Sequence, residues 1–267
     1  MRFNQHPGGL TIIFHVYATG SWRSITSEQL SLIPGCTVHC TLIGSLEQQE
    51  QLNAIAARYK VTLSTRRFVV PEVFEHEAWK WIQELVSDHP LGYTLYFHTK
   101  GVTSGDTHWR ESLNVALLNN YKKVYGELKS SGKDATGPLY IERTHTFSNG
   151  TQKNTKFFGG NFWLASNRYL ATLPEYDKTC DQLDHDRYLA ECFIGWNHPS
   201  VHLLNQKRPY SSWEIDKMLV DRVFNPPRMY RLKMWVFSVR IKLGFPSEPY
   251  DQLIERLFRW RSHWNSV

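Results

Sequence analysis

Tyr93-Thr-Leu-Tyr-Phe-His-Thr-Lys-Gly101 is a short run of β-branched and aromatic residues that ends in a histidine, a lysine and a glycine. It reads as a buried β-strand that delivers His98 and Lys100 into a turn. In open α/β sheets, ligands bind in the crevice beyond the carboxyl ends of the strands. A cation in that position points to an anionic ligand, with a diphosphate as the first candidate. The competing reading makes His98 and Lys100 ordinary polar residues at a strand end.

The flanking sequence repeats the same kind of unit. Thr11-Ile-Ile-Phe-His-Val-Tyr17 is a continuous apolar run, as expected of a strand buried on both faces, and it opens into Ala18-Thr19-Gly20. Ser24 to Ile33 has helical spacing and stops at Pro34-Gly35, and Thr37 to Ile43 supplies a second strand. Leu46 to Tyr59 places Leu52, Ile55, Ala56 and Tyr59 on one helical face, a third strand spans Val61 to Phe68, and Pro71 opens a helix through Val86 with Phe74, Trp81 and Leu85 inward. Such βα repetition predicts a doubly wound, mostly parallel α/β sheet.

Downstream, Val102 to His108 reads as a polar loop over the strand end, and Trp109 begins a long helix to about Lys129 with Leu113, Leu117, Val124 and Leu128 buried. Ala135 to Glu142 reads as a strand and Thr144 to Lys156 as a loop or hairpin. Phe157 to Ala165 is apolar but interrupted by Gly159-Gly160, which in a strand marks a close approach or a bulge. Leu183 to Ile194 is helical by pattern. From Pro226 the composition shifts to Arg and Lys mixed with Trp, Phe and Met, so the expected division is a main domain over 1–225 and a basic amphipathic appendage over 226–267.

The composition fits a soluble globular protein: 267 residues, 41% hydrophobic, 21% charged and 14% aromatic, with 10 tryptophans that suggest stacking surfaces. No apolar run reaches membrane-spanning length and the start lacks a signal-peptide core, so the expected location is cytoplasmic. The four cysteines form no CxxC pair, which excludes a zinc framework and fits reduced thiols. A net charge of +6 and a pI near 9.1 favour an acidic partner: nucleotide, nucleic acid or anionic membrane.

Four motifs then occur in order: Tyr96-Phe-His-Thr-Lys-Gly101, Trp109-Arg110, Gly160-Asn-Phe-Trp-Leu-Ala165 with Leu173-Pro174, and Asp186-Arg-Tyr-Leu-Ala-Glu191. With Tyr17-Ala-Thr19, Trp22 and Glu28-Gln29-Leu30, this series resembles a bacterial and phage glycosyltransferase family, similar to the transferases of surface-polysaccharide clusters and the rhamnan-synthesis proteins. The resemblance covers roughly residues 10 to 205. It implies a GT-A-like fold and a UDP-, GDP- or dTDP-sugar donor.

In such a fold a metal held by a DxD motif usually neutralises the donor diphosphate at a central strand end. Here that strand end carries His98-Thr-Lys100, an ammonium can stabilise a leaving phosphate without a cation, and no metal ligands are assigned. The donor set expected from the resemblance is Thr19 and Gly20 beside the base, His98, Lys100 and Gly101 at the diphosphate, and Trp109 and Arg110 from the next helix. Gly160 and Asn161 complete it under the sugar. Trp109 is equally readable as a core residue, Arg110 as a solvated one and the glycines as a bulge. His145 and Trp163 are assigned to the acceptor.

Asp184-His-Asp186 has the letters of DxD but lies in a polar stretch opening a predicted helix. Glu191, on the apolar side of that helix, is the first choice for the base that deprotonates the acceptor hydroxyl, and Asp186 the second. The competing reading is a surface carboxylate or an N-cap. A single base suits direct displacement with inversion.

Arg228 to Leu243 and Arg256 to Trp264 interleave cations with large apolar residues. Such a tail suits peripheral contact with an anionic membrane, where lipid-linked glycans reside, or a basic aromatic groove for DNA carrying hydroxymethylated bases. It also suits simple packing on the main domain. A glycan acceptor at the inner membrane is preferred over DNA modification in the phage-infected host cytoplasm. The rival of another class is a non-catalytic nucleic-acid or glycan-binding module.

Overall fold

The structure is a computed structural model that describes residues 9–69, 75–99, 107–146, 152–176, 192–204 and 210–211. Three strands and two helices open the chain: β1 (Leu10–Tyr17), α1 (Trp22–Ser31), β2 (Thr37–Ile43), α2 (Leu46–Arg58) and β3 (Thr62–Phe68). Then come α3 (His76–Asp88), β4 (Tyr93–His98), α4 (Thr107–Leu113), α5 (Tyr121–Ser131) and β5 (Ala135–Gly137). The rest comprises β6 (Tyr140–Thr146), β7 (Gln152–Phe158), β8 (Trp163–Ser166), α6 (Asn167–Leu170), β9 (Val201–Leu203) and β10 (Tyr210–Ser211).

The result is a mixed α/β architecture around a seven-stranded, mostly parallel sheet of order β3-β2-β1-β4-β8-β5-β9. β8 runs antiparallel to both of its neighbours, and the other pairings are parallel. β1 is almost wholly buried, as its unbroken apolar run demands, because helices cover both faces. Alternation along the strands divides the core in two. Ile12, Phe14, Val16, Leu95 and Phe97 pack with Trp22 and Leu30 of α1, Leu52 and Ile55 of α2, and Val124 and Leu128 of α5. Ile13 and Tyr96 pack with Trp79, Ile82 and Val86 of α3 and with Trp163.

Three expected elements are corrected. The long helix after Trp109 is interrupted by a π-turn, Asn114–Leu118, closed by the Asn119 amide on the Asn114 carbonyl at 2.9 Å. Leu113, Leu117, Val124 and Leu128 are nonetheless all buried. The single strand over 135–142 is two strands in different sheets: Pro138 lacks an N–H to donate and Leu139 takes a φ of 54°. The run from Phe157 to Ala165 is likewise split. β7 pairs with β6 in a second, three-stranded sheet, and the glycine turn passes the chain back to β8 in the main one. The hairpin reading of 144–156 holds through the β6–β7 pairing. The helix expected from Pro71 is described from His76, with Trp81 buried; Pro71 to Phe74, most of the helix expected at 183–194 and the tail 226–267 lie outside the described residues.

The α3-side core is an aromatic stack. Trp79 is fully buried, with its ring centroid 5.2 Å from that of Trp163 and 4.9 Å from that of Phe193. Trp79→Ala is expected to lower unfolding free energy by about 3–5 kcal/mol, the usual cost of emptying a buried aromatic site. Urea titration followed by circular dichroism measures it, and a loss below about 1 kcal/mol would contradict this packing.

Candidate functional site

The strand connections run outward from β1 to β2 and β3, then return across the sheet to place β4 on the other side of β1. β1 and β4 therefore flank a topological switch point, where the connections diverge and leave a crevice at the carboxyl ends. Backbone and hydroxyl bonds fix its two walls. The Thr99 amide donates to the His15 carbonyl, and the Tyr17 amide donates to the Thr99 Oγ1, both at 3.0 Å. Gly20, with a φ of 52°, turns the chain from β1 into α1, and the Trp22 amide donates back to the Thr19 carbonyl.

His98 lies in register with His15 at the end of β4 and is nine-tenths buried. One ring nitrogen, Nε2, is 2.9 Å from the Gly160 carbonyl oxygen, and Nδ1 is 3.1 Å from Oε1 of Glu75. Glu75, directly before α3, leaves the helix end uncapped and points its carboxylate into this cluster. Its Oε2 accepts from the Tyr96 hydroxyl at 2.7 Å and from the Asn161 amide. The other end of the Asn161 amide accepts from the Trp163 indole N–H at 2.9 Å.

A second branch reaches the same strand end from the opposite face. Gln29 of α1 donates to the His98 carbonyl at 2.9 Å and to Asn114 Oδ1 at 3.3 Å. Asn114 donates to Glu28 Oε1 at 2.6 Å, and Arg110 Nε donates to Glu28 Oε2 at 3.2 Å. The π-turn thus presents Asn114 to α1, and Glu28 ties α1 to α4. These bonds hold both ends of the 100–106 connection, Thr99 and α4, at the switch point.

The structure brings His98, Arg110, Gly160 and Asn161 into one continuous network, with Thr19 and Gly20 at the mouth of the crevice. Their roles change. Both His98 nitrogens are engaged within the protein, Asn161 is 1% exposed with its amide bonded at both ends, and Arg110 is paired with Glu28. Trp163 is fully buried between Tyr96 and Trp79, which gives it a core position rather than a surface for an acceptor. His145 lies in β6, opposite Lys153, and not in a loop. Trp109 lies on α4; Lys100, Gly101, Asp186 and Glu191 lie outside the described residues. Among the described residues no three His, Cys, Asp or Glu side chains converge as a metal site.

Glu75 escaped sequence reading because it was assigned to the body of a helix opening at Pro71. The available signal was an acidic residue at the point where the helical apolar pattern begins. Burial opposes its ionisation, but His98, then His15 and the Tyr96 hydroxyl, outweigh burial and hold the carboxyl well below the usual carboxylate range. Burial lowers His15 to about 4, helped by the nearby His98 and His76 and resisted by Glu75.

No family model and no curated protein matches the chain. Among solved structures it is similar to the 4-diphosphocytidyl-2C-methyl-D-erythritol synthase of Anaerococcus prevotii, at 10% identity and a TM-score of 0.40, over 73% of this chain and 88% of that one.

The two titrations have definite signs. Glu75, depressed in the fold, contributes stability above about pH 4.5 that is lost as the pH falls toward its folded value. His15 is neutral in the fold and charges on unfolding, so it costs nothing above about 6.5 and progressively more down to about 4. His15→Gln is therefore expected to gain on the wild type by on the order of 3 kcal/mol between pH 7.5 and 4. Urea titrations across that range check it, and parallel pH profiles would contradict it.

Proposed function

We propose that the chain is a glycosyltransferase of GT-A-like fold that moves a sugar from a nucleotide-sugar donor to a hydroxyl of a saccharide or lipid-linked glycan. The observation that supports this best is the convergence of the motif residues Gln29, His98, Arg110, Gly160 and Asn161 at the β1–β4 switch point. Residues far apart in sequence meet where an open α/β sheet binds ligands.

Charge accounting assigns the diphosphate. His98 is balanced by Glu75 and Arg110 by Glu28, so neither pair presents net charge to a ligand. The positive charge for the leaving group then falls to Lys100, one residue past the fixed Thr99, with exposed amides near Thr19 and Gly20 adding hydrogen bonds. The Gly159–Asn161 turn, held from beneath by His98 and Glu75, forms the floor on which the transferred sugar rests.

In the reaction, Glu191, or Asp186 in its place, takes the proton from the acceptor hydroxyl. The acceptor oxygen attacks the anomeric carbon while the bond to the diphosphate oxygen breaks, and Lys100 stabilises the charge that develops there. A carboxylate on the far side of the sugar gives inversion.

A thermal-shift panel of UDP-glucose, GDP-mannose and dTDP-rhamnose in chelator tests the donor site. One donor is expected to raise Tm. Lys100→Ala should abolish the rise without lowering the ligand-free Tm, and Glu191→Gln should keep the rise while losing transfer by at least about 10²-fold. No shift and no transfer with any nucleotide sugar, with or without Mn²⁺, would contradict the reading and favour a binding module.

A further inference from the structure

We propose that Glu75 is a positioning residue of the donor site, keeping His98 as a doubly protonated ring that clamps the Gly159–Asn161 turn to the end of β4. The role of the turn rests on the glycosyltransferase reading; the manner in which it is held does not.

Donor and acceptor chemistry carries the inference. A carbonyl oxygen only accepts, so His98 Nε2, 2.9 Å from Gly160 O, carries a proton. His98 Nδ1, 3.1 Å from Glu75 Oε1, is the donor there if Glu75 is ionised. Glu75 already accepts from Tyr96 and Asn161 on its other oxygen, the arrangement of a carboxylate rather than an acid. The groups facing His98 are Glu75 from the start of α3, Tyr96 on β4, His15 on β1 and Phe162 beyond the turn. His15 is neutral near pH 7 and brings no competing cation.

The turn needs such a clamp. Gly160 has a φ of 83° and Asn161 a φ of 52°, two successive left-handed residues of which the second is not glycine. One local bond, from the Asn161 amide to the Phe158 carbonyl at 2.9 Å, closes the turn. The ties to His98, Glu75 and Trp163 over-determine it. Through them, the state of one carboxylate is transmitted to the backbone beneath the reacting sugar.

Glu75→Gln isolates the charge. A Gln amide can donate to Nδ1 and still accept from Tyr96 and Asn161, leaving a neutral ring and weaker bonds in the same shape. Nitrogen NMR of the ¹⁵N-histidine-labelled wild type at pH 7.5 is expected to show both His98 ring nitrogens protonated, and E75Q to show one. With the donor found in the nucleotide-sugar panel, E75Q should lose at least about tenfold in kcat while donor KM moves by less than about threefold. A singly protonated His98 in the wild type, or an E75Q enzyme with wild-type kcat, would overturn the proposal.

The wild-type spectrum needs no variant, so misfolding of E75Q would not shelter the idea. Tyr96→Phe, which removes one donor and no charge, should then keep the doubly protonated signature and lose less kcat than E75Q does in the turnover measurement. If the wild type transfers no sugar from any donor, the glycosyltransferase reading falls. The spectrum alone then decides whether Glu75 holds His98 charged.

Discussion

A carboxylate and an imidazole removed from water at a strand end persist only if each finds enough partners to offset desolvation. Glu75 and His98 meet that condition by recruiting neighbours: Tyr96 and Asn161 on the carboxylate and the Gly160 carbonyl on the ring. Much of the local architecture follows from that constraint. The start of α3, the end of β4 and the turn into β8 are bound to one another because each supplies a group to the pair. Trp163, by bonding Asn161, extends the constraint into the aromatic core around Trp79.

The opposite face is organised by the same strand end. Gln29 bonds the His98 carbonyl, and the Glu28–Asn114–Arg110 cluster locks α1 to the helix that follows the 100–106 connection. A regular α-helix through Asn114 was the simpler expectation. The π-turn widens the backbone spacing at that point, and the Asn114 side chain is used by both Glu28 and Gln29. Irregular backbone here coincides with a polar side chain serving several partners, as is common for π-turns near functional sites.

Local patterns were sufficient for the parallel half of the sheet. Continuous apolar runs at β1 and β4, and a capping box from Ser45 to Gln48 at α2, declare themselves within a few residues. The order of β8, β5 and β9 was not legible, since it depends on Pro138, Leu139 and the Gly159–Gly160 turn passing the chain between two sheets. The site was half legible. His98, Arg110, Gly160 and Asn161 were marked by their motifs, but motif letters do not reveal whether a polar group faces a ligand or another side chain. Glu75 carries no motif, and its importance arises from tertiary contacts with residues 21 to 86 positions away.

The whole account turns on where a donor lies. A structure of the protein with a bound nucleoside diphosphate sugar should place the diphosphate between the carboxyl ends of β1 and β4, with Lys100 Nζ within about 3 Å of a phosphate oxygen. The sugar should rest against Gly159 to Asn161, with the Glu75–His98 pair intact beneath it. A donor bound away from the switch point, or one whose phosphates have no contact with Lys100, would contradict the account.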